Sequence, residues 1–195
     1  LKSKWIGTGK RTIEFEKNFL NYKNAKFSHA LNSCTAALHL ALIALDIKKG
    51  DEVITTPLTF CSTVNTVLHV GATPVLADID EKTLNIDPIN IEKKINKKTK
   101  ALIIVHFAGL SCDMDKICAL AKKYSIKIIE DCAHAIETKY KNKHAGTFGE
   151  AGCFSFYSTK NITTAEGGML ITNNAKISNR VKHLKLHGLS HDAWK

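Results

Sequence analysis

Residues 101–130 read ALIIVHFAGLSCDMDKICALAKKYSIKIIE: an apolar run, a helical stretch and a second apolar run. The runs 101–107 and 126–130 are rich in Ile, Leu and Val, as strands that are covered on both faces of a sheet are. Residues 114–124 between them have the length and composition of a helix. Two such strands joined by a helix predict a parallel pair, so this stretch indicates an α/β fold.

The same rhythm extends along most of the chain. Four more β-rich runs are predicted at residues 52–55, 74–78, 153–157 and 169–172, and two more helices at 35–45 and 62–70. The helix at 35–45 is apolar almost all round, which predicts that it is buried. The whole pattern predicts a mostly parallel central sheet that is covered by helices on both faces.

Charge is spread along the chain. The 195 residues include 28 Lys and Arg against 18 Asp and Glu, a formal net charge of +10, but only Arg11 and Arg180 are arginines. The lysines scatter in short pairs that suit solvated helix faces, whereas Arg is favoured for bidentate contacts to phosphates and guanine edges. We therefore expect no nucleic-acid partner. No apolar stretch approaches the roughly 20 residues that span a bilayer, so no membrane segment is predicted.

The cysteines and histidines form no complete metal pattern. None of the six cysteines belongs to a C-x-x-C pair, and several lie in apolar runs, as buried reduced thiols of a cytoplasmic protein do. His183, His187 and His191 recur every four residues and could line one helix face, but no carboxylate or cysteine completes a ligand set. Exposed histidines at a helix end are the favoured interpretation. We expect no metal and a cytoplasmic location.

Polar residues at the carboxyl ends of the predicted strands are candidates for chemistry, because open α/β sheets bind ligands at that edge. Lys160 follows the run 153–157 in a small polar turn. A partly buried amine there could be neutral and attack a carbonyl, although a snorkelling lysine at a strand end is the alternative. Asp131 directly follows the run 126–130, and His134 comes three residues later. The carboxylate either caps the next helix or holds a cation.

Two further features supply a phosphate site and a stacking surface. Cys34 and Thr35 stand at the start of the 35–45 helix, where free backbone N–H groups and a hydroxyl could bind phosphate, unless this is a plain N-cap. Ser155 could add a donor. Phe60, among small polar residues, could stack on a flat heterocycle or be a core side chain. With a carboxylate for a pyridinium nitrogen and an amine for a Schiff base, these features indicate pyridoxal phosphate.

Several stretches, in this order, make the sequence resemble the DegT/DnrJ/EryC1/StrS family of pyridoxal-phosphate-dependent nucleotide-sugar aminotransferases. They are residues 33–42 (SCTAALHLAL), 50–57 (GDEVITTP), 71–75 (GATPV) with Asp78, 130–135 (EDCAHA) and 154–168 (FSFYSTKNITTAEGG). The resemblance implies an aspartate-aminotransferase-like large domain of fold type I over residues 1–195. Because family members are longer, it also implies a fragment that lacks the small C-terminal domain.

Carried over residue by residue, the resemblance implies that Lys160 forms the internal aldimine and moves protons as the general base. Asp131 would pair with the pyridinium nitrogen, His134 would lie beside the ring, and Phe60 would stack on it. The phosphate contacts would come from Cys34, Thr35 and Ser155.

The implied reaction transfers an amino group, with glutamate as the expected donor, to a keto-sugar nucleotide in amino-sugar or cell-surface polysaccharide biosynthesis. The implied assembly is a homodimer. A sugar dehydratase with the same cofactor is one alternative, but those relatives replace the lysine with histidine. A non-catalytic sensor relative is another. A nicotinamide oxidoreductase is disfavoured because Thr12 occupies the third glycine position after Gly7-Thr8-Gly9.

Overall fold

Residues 8–189, which the computed structural model describes, contain nine strands and six α-helices. The strands are β1 (Phe27–Leu31), β2 (Glu52–Thr55), β3 (Thr73–Leu76), β4 (Thr99–Val105), β5 (Lys127–Asp131), β6 (Lys139–Tyr140), β7 (Lys143–His144), β8 (Ala151–Ser155) and β9 (Gly168–Thr172). The helices are α1 (Lys10–Lys23), α2 (Cys34–Ala44), α3 (Cys61–His69), α4 (Pro88–Lys94), α5 (Met114–Tyr124) and α6 (Ala175–Leu184). In this part of the chain no helix is long and apolar enough to cross a membrane.

Seven strands form one sheet in the order β1-β9-β8-β5-β4-β2-β3. The five strands from β8 to β3 in that order are parallel to their neighbours, whereas β9 is antiparallel to both β8 and β1. Strands β6 and β7 pair separately as a hairpin. The predicted α/β class and mostly parallel sheet are confirmed.

The alternation of side chains along β4 shows how both faces of the sheet are covered. Ala101 and Ile103 belong to an apolar cluster with residues of α2, α3 and α6. Leu102 and Ile104 belong to a second cluster with residues of α4 and α5. All four are fully buried. Because successive strand residues point to opposite faces, these helices lie on both sides of the sheet, as predicted.

The predicted boundaries are close where the apolar pattern is strong. The helix predicted at 114–124 and the strand predicted at 52–55 match α5 and β2, and the 35–45 and 62–70 helices each begin one residue earlier than predicted. The predicted run 101–107 is too long at its end, because β4 ends at Val105 and Phe107–Gly109 forms a 3-10 turn. Helix α6 ends at Leu184, so the exposed His187 lies beyond it, and His191 falls outside the described residues.

Candidate functional site

Asp131 lies at the centre of the candidate site. It is the last residue of β5 and is only 4% exposed. Its Oδ2 accepts a 2.8 Å hydrogen bond from the Thr63 hydroxyl, and its Oδ1 accepts a 3.1 Å bond from the Ala133 amide. Burial raises the pKa of Asp131, although these two hydrogen bonds act in the opposite direction. The alternative that Asp131 caps the next helix is wrong, because no helix begins in the described residues between β5 and β6. The bond from Ala133 is a local turn contact, and the bond from Thr63 joins the carboxylate to α3.

Cys34, the first residue of α2, faces the same carboxylate. Its Sγ lies 3.9 Å from Asp131 Oδ1, a weak hydrogen-bond distance for sulfur. Burial, followed by the nearby Asp131 charge, raises the pKa of the Cys34 thiol well above its usual range. The thiol therefore stays protonated and can act as a donor. Its side chain contacts Asp131, whereas its backbone N–H belongs to the first turn of α2.

The start of α2 is in contact with the start of β9. Ser33 is the N-cap of α2, and its Oγ accepts a 3.1 Å hydrogen bond from the Ala36 amide. A Cβ added at Gly168 would lie 2.2 Å from the carbonyl carbon of Ser33, so glycine is what allows this approach. Gly168 pairs with Ser155, the last residue of β8. The fold thus brings Ser155 to the helix terminus that carries Cys34 and Thr35.

That helix terminus has the features of an anion site. The first amides of an α-helix have no partner within the helix, and the helix dipole favours negative charge there. Thr35 is half-buried, and Ser155 is buried with its Oγ 3.3 Å from the Tyr157 amide, from which it accepts a hydrogen bond. The plain N-cap contact of Ser33 exists, but it uses only the Ala36 amide.

Lys160 lies in the loop between β8 and β9. Its amide donates a 2.9 Å hydrogen bond to the Tyr157 carbonyl, which closes a turn, and its side chain is half-buried. His134 is exposed, and its pKa is lowered first by partial burial and then by the Lys160 charge, against the effect of Asp131. Lys160, His134 and Asp131 therefore interact electrostatically within one region of the sheet edge.

Phe60 is the N-cap residue of α3, and 75% of it is exposed. The alternative of an ordinary core side chain is therefore wrong. The Phe60 carbonyl accepts a 3.1 Å hydrogen bond from the Thr63 amide, so the exposed ring and the hydroxyl partner of Asp131 belong to the same first turn. An aromatic face is available here at the edge that carries Asp131.

Thr63 is the residue of this site that the sequence patterns did not indicate. It is fully buried in α3, and its hydroxyl lies 2.7 Å from that of Thr59. The helical spacing from Phe60 to Thr63 would have placed both side chains at the start of α3. That spacing does not say that α3 meets the end of β5, so the contact with Asp131 required the tertiary structure.

A buried cluster beside Asp131 has the composition of a metal site. The ligand atoms of His106, Glu130 and Cys132 lie within 4.8 Å of one another. However, Glu130 accepts a 3.1 Å bond from His106 Nε2 and three 2.7 Å bonds from backbone amides, those of Gly146, Phe148 and Gly149. Burial alone would raise the pKa of Glu130, but these hydrogen bonds lower it. A carboxylate that already accepts these four hydrogen bonds is suited to anchoring the 146–149 loop.

The whole sequence also matches known proteins. The model of the DegT/DnrJ/EryC1/StrS aminotransferase family matches residues 1–195. The spore coat polysaccharide biosynthesis protein SpsC of Bacillus subtilis is 53% identical over 194 residues, which cover 100% of this chain and 50% of SpsC.

Solved structures share the fold. An aminotransferase from Psychrobacter cryohalolentis matches with a TM-score of 0.93 and 44% identity, over 96% of this chain and 48% of that one. The PLP-form of the putative sugar aminotransferase Spr1654 from Streptococcus pneumoniae matches with a TM-score of 0.91 and 34% identity, over 100% and 55% of the two chains. DesI in the presence of its TDP-sugar product gives 0.91 and 30%, over 98% and 49%.

These matches agree with the sheet order and helix placement described above. The chain spans about half the length of these relatives, 50% of SpsC and 48% of the Psychrobacter enzyme. Its full length nevertheless fits the family model. The chain belongs to the DegT/DnrJ/EryC1/StrS aminotransferase family.

Proposed function

We propose that the protein is a pyridoxal-phosphate-dependent transaminase that moves an amino group, with glutamate as donor, onto a keto-sugar carried by a nucleotide. The observation that carries the proposal is the buried Asp131 carboxylate at the sheet edge that also presents Lys160 and the start of α2. Residues 1–195 would form the cofactor-binding large domain of a cytoplasmic homodimer.

The residues present fit pyridoxal phosphate. Burial disfavours the ionised form of Asp131, so a protonated ring nitrogen would supply the positive charge that this carboxylate needs. The first amides of α2, with Cys34, Thr35 and Ser155, suit a phosphate group. The exposed ring of Phe60 suits a flat heterocycle. When bound, pyridoxal phosphate supplies an electron sink for negative charge that develops at a substrate carbon.

Lys160 would have two tasks. Its amine would attach the cofactor covalently, and after release the same amine would move a proton as the general base. The half-buried turn that ends at Lys160 would hold the amine at the sheet edge. Because its pKa is lowered, His134 would be neutral near pH 7 and would form a hydrogen bond without adding a second positive charge beside Lys160.

Two relatives support the substrate class. SpsC is named for spore coat polysaccharide biosynthesis, and DesI was solved with a TDP-sugar product. The family name and the Spr1654 PLP-form support the cofactor. These likenesses favour a sugar nucleotide as amino acceptor over a free keto acid.

Borohydride reduction of the full polypeptide with pyridoxal phosphate, followed by peptide mass spectrometry, tests the proposal. We expect a pyridoxyl label on Lys160, loss of the label in Lys160→Ala, and an unchanged label in the control Lys122→Ala, an exposed lysine of α5. Incubation with glutamate and keto-sugar nucleotides should yield 2-oxoglutarate and an amino-sugar. A Lys160→Ala protein that still transaminates would contradict the assignment.

The same assay separates the alternatives. A sugar dehydratase would consume the sugar nucleotide and form a dehydrated product without an amino-sugar. A sensor relative would bind cofactor or sugar and convert neither.

A further inference from the structure

Lys23, near the end of α1, is a buried lysine outside the residues assigned above. Only 1% of it is exposed. Its Nζ donates a 2.8 Å hydrogen bond to the Ile136 carbonyl and lies 4.5 Å from the centroid of the Phe154 ring. Lysines are almost never fully buried without a partner, because removing an ammonium group from water is costly. The Ile136 carbonyl supplies such a partner for Lys23.

The charges around Lys23 partly offset that cost. Burial lowers its pKa, and the neighbouring carboxylates of Glu130 and Glu137 act in the opposite direction. The Tyr22 ring, 5.9 Å from Nζ, adds a second aromatic face. The ammonium is thus stabilised by an oxygen acceptor, aromatic faces and two nearby carboxylates.

Ile136 belongs to residues 132–138, which we call the His134 loop. This loop leads from Asp131 at the end of β5 to the β6–β7 hairpin and carries His134. Within the loop the Ala135 amide donates to the Cys132 carbonyl at 2.9 Å. The bond from Lys23 is different in kind, because it joins the loop to a helix that is 113 residues away in sequence.

The same loop contacts the turn that carries Lys160. Oε1 of Glu137 accepts a 2.5 Å hydrogen bond from Asn161 Nδ2. Asn161 directly follows Lys160, and Glu137 directly follows Ile136. A continuous set of contacts therefore runs from Lys23 to the backbone beside Lys160.

We propose that Lys23 is a positioning residue that fixes the His134 loop and, through the Glu137–Asn161 contact, the turn that carries Lys160. The role of this loop in cofactor binding rests on the proposed function, whereas its attachment through Lys23 requires no cofactor. Lys23 touches neither the cofactor contacts nor a reacting atom, so its effect would be exerted through the loop.

Hydrogen exchange in the cofactor-free full polypeptide tests the anchoring. Lys23→Met keeps an unbranched stem beside Phe154 and removes the ammonium. We expect exchange in peptides that cover 133–138 and 160–164 to accelerate about ten-fold, the scale of one hydrogen bond to a charged group. The control Ile91→Val, at a fully buried residue of α4, should leave these peptides unchanged.

A second variant tests the same set of contacts without altering a buried side chain. Glu137 and Asn161 are exposed, so Glu137→Ala leaves the core intact. It should accelerate exchange in 160–164 only, and Glu137→Gln, which keeps an oxygen acceptor, should restore protection. Wild-type exchange in both Lys23→Met and Glu137→Ala would overturn the inference.

Cofactor titration followed by visible circular dichroism gives the functional readout. We expect Lys23→Met to raise the pyridoxal phosphate Kd about ten-fold and to change the dichroism of the bound cofactor, whereas Ile91→Val should do neither. An unchanged Kd and unchanged dichroism in Lys23→Met would overturn the positioning role. A wild-type protein that binds no pyridoxal phosphate would instead overturn the proposed function, and the exchange result would still decide the anchoring.

Discussion

The Thr63 hydroxyl donates a 2.8 Å hydrogen bond to Oδ2 of Asp131 and so joins the first turn of α3 to the end of β5. Thr63 is fully buried and Asp131 is 4% exposed. A hydrogen bond is electrostatically stronger in such buried surroundings than in water, and leaving a buried acceptor without its donor is correspondingly costly. Thr63 is therefore a support for the carboxylate on which the proposed cofactor site depends.

Thr63→Val removes that hydroxyl while keeping a β-branched side chain. We expect the free energy of unfolding to fall by about 1–3 kcal/mol, since Asp131 Oδ2 loses its donor inside the protein. Pyridoxal phosphate affinity should fall as well. Denaturant unfolding and cofactor titration measure the two effects.

Thr66→Val is the matched control for this change. Thr66 is equally buried in α3, but its hydroxyl lies 3.3 Å from the Thr63 carbonyl and does not contact Asp131. It should leave cofactor affinity unchanged. Equal losses of affinity in the two variants would show that Thr63 acts only through the helix.

Asp131→Asn should separate stability from cofactor binding. Because burial raises the pKa of Asp131 in the folded protein, the stability linked to this group is present below its unfolded pKa, about 3.9, and is lost as pH rises through the folded value. The neutral amide avoids that loss. Asn keeps one accepting oxygen for the two donors Thr63 and Ala133, so the expected difference lies in the pH dependence. The cofactor-free variant should lose less stability than wild type as the pH rises from 3 to 8, and its affinity for pyridoxal phosphate should be weaker.

Thermal unfolding between pH 3 and pH 8 checks this prediction. Asp80→Asn is a control of opposite sign, since hydrogen bonds from Thr83 lower the pKa of that exposed carboxylate. Parallel pH profiles of Tm for wild type and the cofactor-free Asp131→Asn protein would contradict the expected cost of the buried charge.

Gly168→Ala should disturb the start of α2. The new Cβ would lie 2.2 Å from the Ser33 carbonyl carbon and 2.6 Å from the Cys34 nitrogen, and these backbone atoms can move only if the helix moves. We expect a loss of about 3 kcal/mol in unfolding free energy, the upper end for overpacking, and weaker binding of pyridoxal phosphate.

Gly167→Ala is the adjacent comparison. There the closest atom to the new Cβ is the Thr164 hydroxyl oxygen at 2.3 Å, a side-chain atom in an exposed loop. Chemical denaturation should show a smaller loss than for Gly168→Ala. The reverse order would mean that the approach of α2 to β9 does not limit position 168.

His29 predicts an acid-dependent loss of stability. It is buried in β1 with its Nε2 2.9 Å from the Ser178 hydroxyl, and burial lowers its pKa from 6.5 to about 4. Between pH 6.5 and about pH 4, the unfolded chain therefore binds a proton at His29 that the folded protein does not bind. Its contribution is complete above pH 6.5 and falls by roughly 3 kcal/mol toward pH 4.

Comparison of wild type with His29→Gln isolates this contribution. The variant should lose less stability than wild type between pH 6.5 and pH 4, and the control His183→Gln, at an exposed position of α6, should follow wild type. Unfolding curves measured across this range decide the point. Parallel pH profiles for wild type and His29→Gln would contradict it.

Local patterns predicted the strands that helices cover on both faces, and the helix that joins two of them. Strands β4 and β5 and helix α5 follow from apolar runs and their spacing. Helix α1 and strand β1 escaped prediction because α1 is mostly exposed and charged, and β1 is short with a central histidine. Such elements are stabilised by packing against the sheet more than by their own sequence.

The residues of the candidate site also fall into two groups, those that local patterns predicted and those that only the tertiary structure showed. The position of Asp131 after an apolar run and of Lys160 in a polar turn predicted that both lie near the carboxyl edge of the sheet, and the structure places them there. The sequence patterns did not indicate Thr63 or Lys23. Each has its decisive contact with a residue distant in the chain, 68 positions for Thr63 and 113 for Lys23.

The sequence by itself determined the α/β alternation, the family and the order of the candidate residues along the chain, because these depend on local composition and short-range spacing. Only the tertiary structure decided that β9 lies between β1 and β8, which brings Gly168 against Ser33 and so places Ser155 at the start of α2. It also decided that α3 supports Asp131. The physical reason is that strand order and helix docking arise from hydrogen bonds and packing between distant segments, which no local pattern specifies.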